Sequence, residues 1–382
     1  MFSLKRRTYL DGAAATPVVA AARIAFTHAL KSYGNPSASH AEGRAGRLLL
    51  EEARKTIARH AGAKSEGVIF TGNATEANAL AIVGAVRAKE AKKMHLLYMA
   101  GAHASVANTM EALKGSGVDV EVIPLLDGSL DLEALRKLLR PETLLVSIEA
   151  ISSETGMRAP ARAVRQLLDE VAGKRILLHV DASQVPLVEP TDRTRFGADL
   201  MTLDASKVGG VRGIGALILG GGVTLAPLIR GGGQERGLRP GTETPALAQA
   251  FAAALEEASR TRDAFSLRAH SMRQELVKRI PGALINEGKE QAPHILNISL
   301  PGKDTDYLVA LLDEAGFAVS TRSACETDSE TGSRAVLALT GDPARAASTL
   351  RISFGPRTTA GEVKRFSSAL TSAVAFLDRD GA

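Results

Sequence analysis

The chain has 382 residues, a hydrophobic share of 45%, only 4% aromatics and no Trp, which supplies cores for about two domains but few stacking platforms for single-stranded nucleic acid. Its formal charge of +5 is the difference between 47 basic and 42 acidic residues, interspersed without a long single-sign block, and this reads as a solvated surface that excludes a nucleic-acid stripe. The basic start Lys5-Arg6-Arg7 runs into TYLDGAAATP instead of an apolar segment, no apolar run is long enough for a bilayer, and a lone cysteine makes no internal disulfide, so a cytoplasmic protein with no membrane partner is expected.

From about residue 47 helices and strands alternate. RLLLEEARKTIARHAG predicts an amphipathic helix closed by Gly62, GVIFTG a short buried strand, ATEANALAIVGAVRAKE a helix and HLLYMA a strand. The helix VANTMEALKG, the strand VDVEVIPL, the helix DLEALRKLLR, the strand TLLVSIEA, the helix AVRQLLDEVAG and the strand RILLHVD follow, and ADLMTLD and GALILG complete about seven strands. Strands separated by helices predict an α/β fold with a mostly parallel seven-stranded sheet covered by helices. A long helix from Pro245 to about Ile280 comes next. Then HILNISL, a helix around DYLVALLDEAG, FAVS, TLRISF and a last helix from Ala360 predict a smaller α+β domain. The expected division is residues 12–258 for the large domain, with 1–11 and 259–382 forming the small one.

Ligands of open parallel sheets sit beyond the carboxyl ends of the strands, and the chemistry-bearing residues fall there. TGNATEA follows a strand and opens a helix, so the N–H groups of Ala74 and Thr75 and the Thr75 hydroxyl either cradle a phosphate or belong to an ordinary capped helix. His103 follows HLLYMA, Asp181 closes RILLHVD with Gln184 just after it, and Lys207 lies among small residues in MTLDASKVGGVRGIGAL. Each has a plain alternative: a structural His, a turn-capping acid, a surface Lys. In that order along one sheet, however, a phosphate cradle, an aromatic ring, an acid and a lysine are the parts needed to hold pyridoxal phosphate. No metal site is read. The one cysteine, Cys325, lies in VSTRSACETDSETG, a polar stretch unlike the apolar settings in which unreactive cysteines are buried.

YLDGAAATP, GNPSASH, FTGNATEANALAI, GAHASV, SSETG, HVDASQ, DLMTLDASKVGGVRGIGAL, GGGQERGLRPGT, PHILNIS, STRSAC and LRISFG together resemble the cysteine desulfurases of the class V aminotransferase family, the NifS/IscS-like group with the fold-type-I pyridoxal phosphate architecture. The resemblance covers nearly the whole chain. It implies that Lys207 bonds the cofactor aldehyde, His103 stacks on the ring, Asp181 pairs with the ring nitrogen and Gln184 with the ring hydroxyl. Ala74 and Thr75 would contact the phosphate, and Thr242 would reach the phosphate in the other subunit of a homodimer. Arg351 and Asn35 would bind the substrate, L-cysteine, with the Arg351 fork on its carboxylate. Cys325 takes the place of the sulfur-accepting cysteine, which would carry a persulfide to a sulfur-acceptor or iron-sulfur scaffold protein. Only a few per cent of a thiol with a pKa near 8.5 is ionised at neutral pH, so a positive neighbour such as Arg322 is expected to help.

The segment DLMTLDASKVGG departs from the family's Ser-Gly-His-Lys pattern, with Asp204 where a phosphate-binding serine is usual and Ser206 where a histidine is usual. An aspartate about 5 Å from a phosphate repels it by roughly 3 kcal/mol per unit charge at an effective dielectric of 20. Asp204 is therefore expected to point away or to be offset by a cation such as Arg212. Ser152 and Ser153 replace a pair of asparagines, and Gln234 replaces a histidine. Two further readings remain open: selenocysteine lyase or another class V aminotransferase-like activity, and a degenerate scaffold that binds sulfur-carrier proteins.

Overall fold

A computed structural model describes residues 7–89, 93–170, 175–280, 282–321 and 332–380. The chain opens with β1 (Thr8–Tyr9), α1 (Ala20–Ala29) and α2 (Ala41–His60). The alternating part comprises β2 (Val68–Thr71), α3 (Ala74–Arg87), β3 (Met94–Met99), α4 (Ala104–Lys114), β4 (Val118–Ile123), the hairpin of β5 (Leu125–Leu126) and β6 (Ser129–Leu130), and α5 (Leu132–Leu138). It continues with β7 (Thr143–Glu149), α6 (Ala161–Glu170), β8 (Leu177–Asp181), α7 (Arg193–Phe196), β9 (Leu200–Asp204) and β10 (Gly215–Leu219).

Among the described residues, seven strands form the large sheet in the order β2-β10-β9-β8-β7-β3-β4. Neighbouring pairs are parallel except those of β10, which runs antiparallel to both β2 and β9. Residues 205–214 between β9 and β10 hold only one short turn of 3-10 helix, too little for a helical crossover, so the chain returns antiparallel. Strands β7 and β9 are buried at every residue, as expected of a sheet covered on both faces. Successive side chains enter opposite cores: Leu97, Val146 and Met201 pack on one face, and Leu96, Leu145 and Leu200 on the other.

Three local features differ from the sequence reading. Helix α2 starts at Ala41, ahead of the expected helix, because Gly43 and Gly46 lie against backbone rather than breaking the turn; a Cβ on Gly46 would come within 2.7 Å of the Gly34 carbonyl oxygen. The segment VDVEVIPL is two strands, since Pro124 has no N–H for the ladder and Leu125–Leu126 turns into its own hairpin. The glycine-rich loop GGGQERGLRPG is anchored at Glu235. Its buried carboxylate accepts a fork of hydrogen bonds from Arg54 of α2 at 2.6 and 2.7 Å and one from Phe70 N–H at 2.8 Å, and it holds Glu235 and Arg236 in the left-handed region at φ 45° and 60°.

The 34-residue helix α8 (Pro245–Lys278) is continuous across the expected domain division. Beyond it come β11 (Leu284–Ile285), β12 (Ile295–Ser299), α9 (Thr305–Glu314), β13 (Phe317–Ala318), α10 (Arg334–Thr340), α11 (Pro343–Ala347), β14 (Thr349–Ser353) and α12 (Ala360–Asp380). Strand β12 lies between β11 and β14, antiparallel to both, and β1 pairs in parallel with β13. A single bridge from Asp11 to Ser353 brings β14 against the amino-terminal segment that enters the large sheet's carboxyl edge, and one from Ser320 to Arg351 ties β14 to the chain just after β13.

Candidate active site

Beyond the carboxyl ends of β2, β7, β8 and β9 lies a cavity of about 190 Å³. That is small beside the roughly 300–1,000 Å³ of pockets for larger organic ligands, so it suits one compact ring compound. Each wall follows from local folding. Asn73 caps α3 by accepting the Glu76 N–H, and Glu76 reaches back to Gly72 N–H, which sets Ala74 and Thr75 at the cavity rim. His103 caps α4 after β3, Asp181 closes β8, and Asp204 closes β9 and leads into the turn that bears Lys207.

Lys207 is half-buried, and its amine donates to the carbonyl oxygens of Ala13 and Ala14 at 2.9 and 2.6 Å. Burial, with a smaller contribution from the Arg351 charge, lowers its pKa, partly opposed by Asp204 and Asp181. Asp181 is held by neutral donors: Oδ1 accepts the Ser183 N–H and hydroxyl at 2.9 and 2.6 Å, and Oδ2 accepts Asn78 Nδ2 at 2.8 Å. Asn78 also donates to Ser105 Oγ, which lies 2.8 Å from His103 Nδ1. Because the Ser105 N–H can only donate to that same nitrogen, Nδ1 is an acceptor and the neutral imidazole carries its proton on Nε2. Gln184 donates from Nε2 to the Ala13 carbonyl at 2.9 Å.

Glu149 stands beside Asp181 in the β7–β8 register and accepts the His103 N–H through Oε1. Its Oε2 is buried without a hydrogen-bond partner. Desolvation first, and the Asp181 charge second, push this carboxyl up to about 8, so Glu149 is a neutral acid at neutral pH. Arg351, on the middle of β14, is almost wholly buried. It donates from Nη1 to the Ser153 carbonyl at 3.0 Å and from Nη2 to Asp11 at 2.8 Å.

At the opposite end Asp204 turns toward the cradle. Its Oδ2 accepts the Ala74 N–H, the first of α3, at 2.8 Å, and its Oδ1 accepts the Ser206 N–H and hydroxyl at 2.7 and 2.6 Å. The alternative in which Asp204 points away is overturned, and Arg212, exposed on its loop, makes no contact with it.

The chain matches the aminotransferase class-V family over residues 8–366. It is 34% identical to a cysteine desulfurase IscS of Neisseria gonorrhoeae over 95% of this chain and 91% of that protein. The chain belongs to the aminotransferase class-V family and, within it, to the cysteine desulfurases of the NifS/IscS-like group. Its fold agrees with solved members: a NifS-like protein superposes with a TM-score of 0.91 at 30% identity, covering 97% of this chain and all of that one. A structure titled SspA in complex with cysteine superposes with a TM-score of 0.79 at 30% identity, covering 92% and 99%.

For a class V member, the residues singled out in the sequence gather as follows. Ala74, Thr75, His103, Asp181, Gln184, Lys207 and Arg351 all line the one cavity. Asn35 and Thr242 do not; both are exposed, and Asn35 Oδ1 accepts the Ser37 N–H. Cys325 and Arg322 lie outside the described residues. Glu149, Asp11 and the Asn78–Ser105 pair were missed. Glu149 had a signal, a charged residue closing the mostly apolar TLLVSIE, and so did Asn78, an amide directly before the apolar run ALAIVGA of α3. The donor set fits a pyridoxal ring and its aldehyde: a cavity-lining amine, a carboxylate fixed for a ring nitrogen and an imidazole share one compact cavity, and the orphaned Glu149 Oε2 offers a polar group still without a partner. The seat of a phosphate is different, since Asp204 already takes the Ala74 N–H.

Proposed function

We propose that this protein is a cysteine desulfurase that removes sulfur from L-cysteine with pyridoxal 5′-phosphate, leaving alanine and a persulfide on Cys325. The observation that carries the reading is the Lys207 amine, held at the carboxyl edge of the sheet in the same cavity as Asp181 and the Arg351 guanidinium. Bound there, the pyridoxal ring supplies an electron sink for negative charge at the substrate Cα. Burial favours the neutral form of Lys207, the form that can attack an aldehyde and later carry a proton at Cα. Asp181, fixed by Asn78 and Ser183, would hold a proton on the ring nitrogen, and His103 would cover the ring face. Arg351 grips the substrate carboxylate, which exchanges with Asp11 for the Nη2 donor.

In the sulfur step the Cys325 thiolate attacks the sulfur of L-cysteine. The S–S bond forms as the Cβ–S bond breaks, the electron pair stays on the carbon skeleton, and protonation releases alanine, so no outside oxidant is required. The persulfide then passes to a sulfur-acceptor or iron-sulfur scaffold protein, for cluster assembly or thiolation. The reading includes a homodimer in which Thr242, exposed on this chain, reaches the other subunit's phosphate. A cytoplasmic location completes the reading; among the described residues no helix is long and apolar enough to cross a membrane. The test is intact-mass spectrometry after treatment with L-cysteine. One added sulfur that maps to Cys325 and disappears in Cys325→Ser is expected, whereas alanine release that survives Cys325→Ser overturns the reading.

A further inference from the structure

We propose that Asp204 sets cofactor selectivity by filling the seat of the 5′-phosphate with a carboxylate of the chain itself, so that the site selects a pyridoxal-type aldehyde by its ring and its bond to Lys207 and gains little from the phosphate. The inference rests on the vitamin B6 reading above and concerns the other end of the same cavity. A helix start binds an anion through its free N–H groups and its dipole. In α3 the first of those donors is already committed to Asp204 Oδ2 at 2.8 Å. Asp204 is also fixed from behind, because its Oδ1 accepts both the N–H and the hydroxyl of Ser206, one residue before Lys207. Swinging the carboxylate out breaks all three bonds.

The helix start cannot back away either. Gly215 of β10 lies so close under it that a Cβ there would meet the Asn73 carbonyl carbon at 2.7 Å and the Ala74 nitrogen at 3.0 Å. Nor does the cavity supply a surplus of positive charge. Its lining sets the carboxylates of Asp181 and Asp204 against the guanidinium of Arg351, which is already paired with Asp11, while burial favours the neutral forms of Glu149 and Lys207. Arg239, the next cation along the α3 start, is paired with Glu76. A phosphate entering the cradle therefore meets a like charge and must displace it.

The experiment titrates the full chain with pyridoxal 5′-phosphate and, separately, with pyridoxal, following the visible absorbance of the lysine-bound chromophore. The parent should bind the two aldehydes within about tenfold of each other. Asp204→Ser should tighten binding of the phosphorylated form by about 100-fold, the size of one like-charge repulsion at close range, and change pyridoxal binding less than threefold. Asp204→Asn removes the charge while keeping an oxygen acceptor for the Ala74 N–H, so it decides the matter if the serine variant fails to fold, and it should tighten the phosphorylated form in the same direction. A parent that prefers the phosphorylated form by 100-fold or more, with that preference unchanged in both variants, overturns the inference and leaves the vitamin B6 reading standing. Absence of either chromophore in folded parent protein brings down that reading, and this inference with it.

Discussion

The carboxyls at the two ends of the cavity share one pattern of donors at Oδ1 and differ at Oδ2. Asp181 Oδ1 accepts the N–H and hydroxyl of Ser183, and its Oδ2 accepts the Asn78 amide, a neutral side chain that leaves its charge to be matched by a ligand, with the unpartnered Oε2 of Glu149 beside it. Asp204 Oδ1 accepts the N–H and hydroxyl of Ser206 in the same way, but its Oδ2 accepts the first N–H of α3, where the helix start matches its charge. The same residue type is thus poised for a ligand at one end and stands in for one at the other. What decides between the roles is the partner, not the side chain.

Three variants test the contrast from the ring end. The largest effect is expected from Lys207→Ala, which removes the amine that both attacks and transfers a proton: turnover of L-cysteine should fall by about 10³- to 10⁴-fold and the lysine-bound chromophore should vanish. Normal colour in that variant would mean that another group bonds the aldehyde. Arg351→Lys keeps a charge but loses the two-pronged donor now shared between Ser153 and Asp11. Steady-state kinetics should show KM for L-cysteine raised by about 10- to 100-fold with kcat changed far less. An unchanged KM would move the carboxylate site elsewhere.

The smallest step concerns Glu149, whose folded-state pKa is raised to about 8 by burial and by Asp181, with Glu154 adding to the rise and the His103 N–H opposing it. Between its ordinary value and 8 the folded protein keeps a proton that the unfolded chain has lost. Stability therefore falls as pH rises through that window, by about 1.4 kcal/mol per unit from this group, and levels off above it. Denaturant unfolding of Glu149→Gln at pH 5, 6.5 and 8 should lack this slope. Parallel slopes in parent and variant would show that the acid is not held neutral.

Much of the architecture was legible in the sequence because buried strands and amphipathic helices leave period and composition marks. TLLVSIE and LMTLD read as sheet interior and are buried throughout, and the acids and lysine that follow such runs mark the carboxyl edge. The parallel sheet and its one-sided site followed from alternation alone. Illegible were features made by close approach: the early start of α2, where glycines serve packing, and the Glu235 anchor, where a salt bridge links residues 54 and 235 across the fold. The role of Asp11 was equally hidden, since its partner Arg351 is 340 residues away in the chain.

By itself, the sequence determined the layered α/β class, the edge on which the chemistry lies and the positions of Lys207, Asp181 and His103 at strand ends, whereas Arg351 came from the family resemblance. The former follow from short-range patterns, the apolar runs and what terminates them. Only the tertiary structure decided the state of each group: that Glu149 keeps its proton, that Arg351 is paired with Asp11, and that Asp204 faces the start of α3. Charge and hydrogen bonding depend on distances of a few ångströms between residues distant in the chain, and no local pattern encodes those distances.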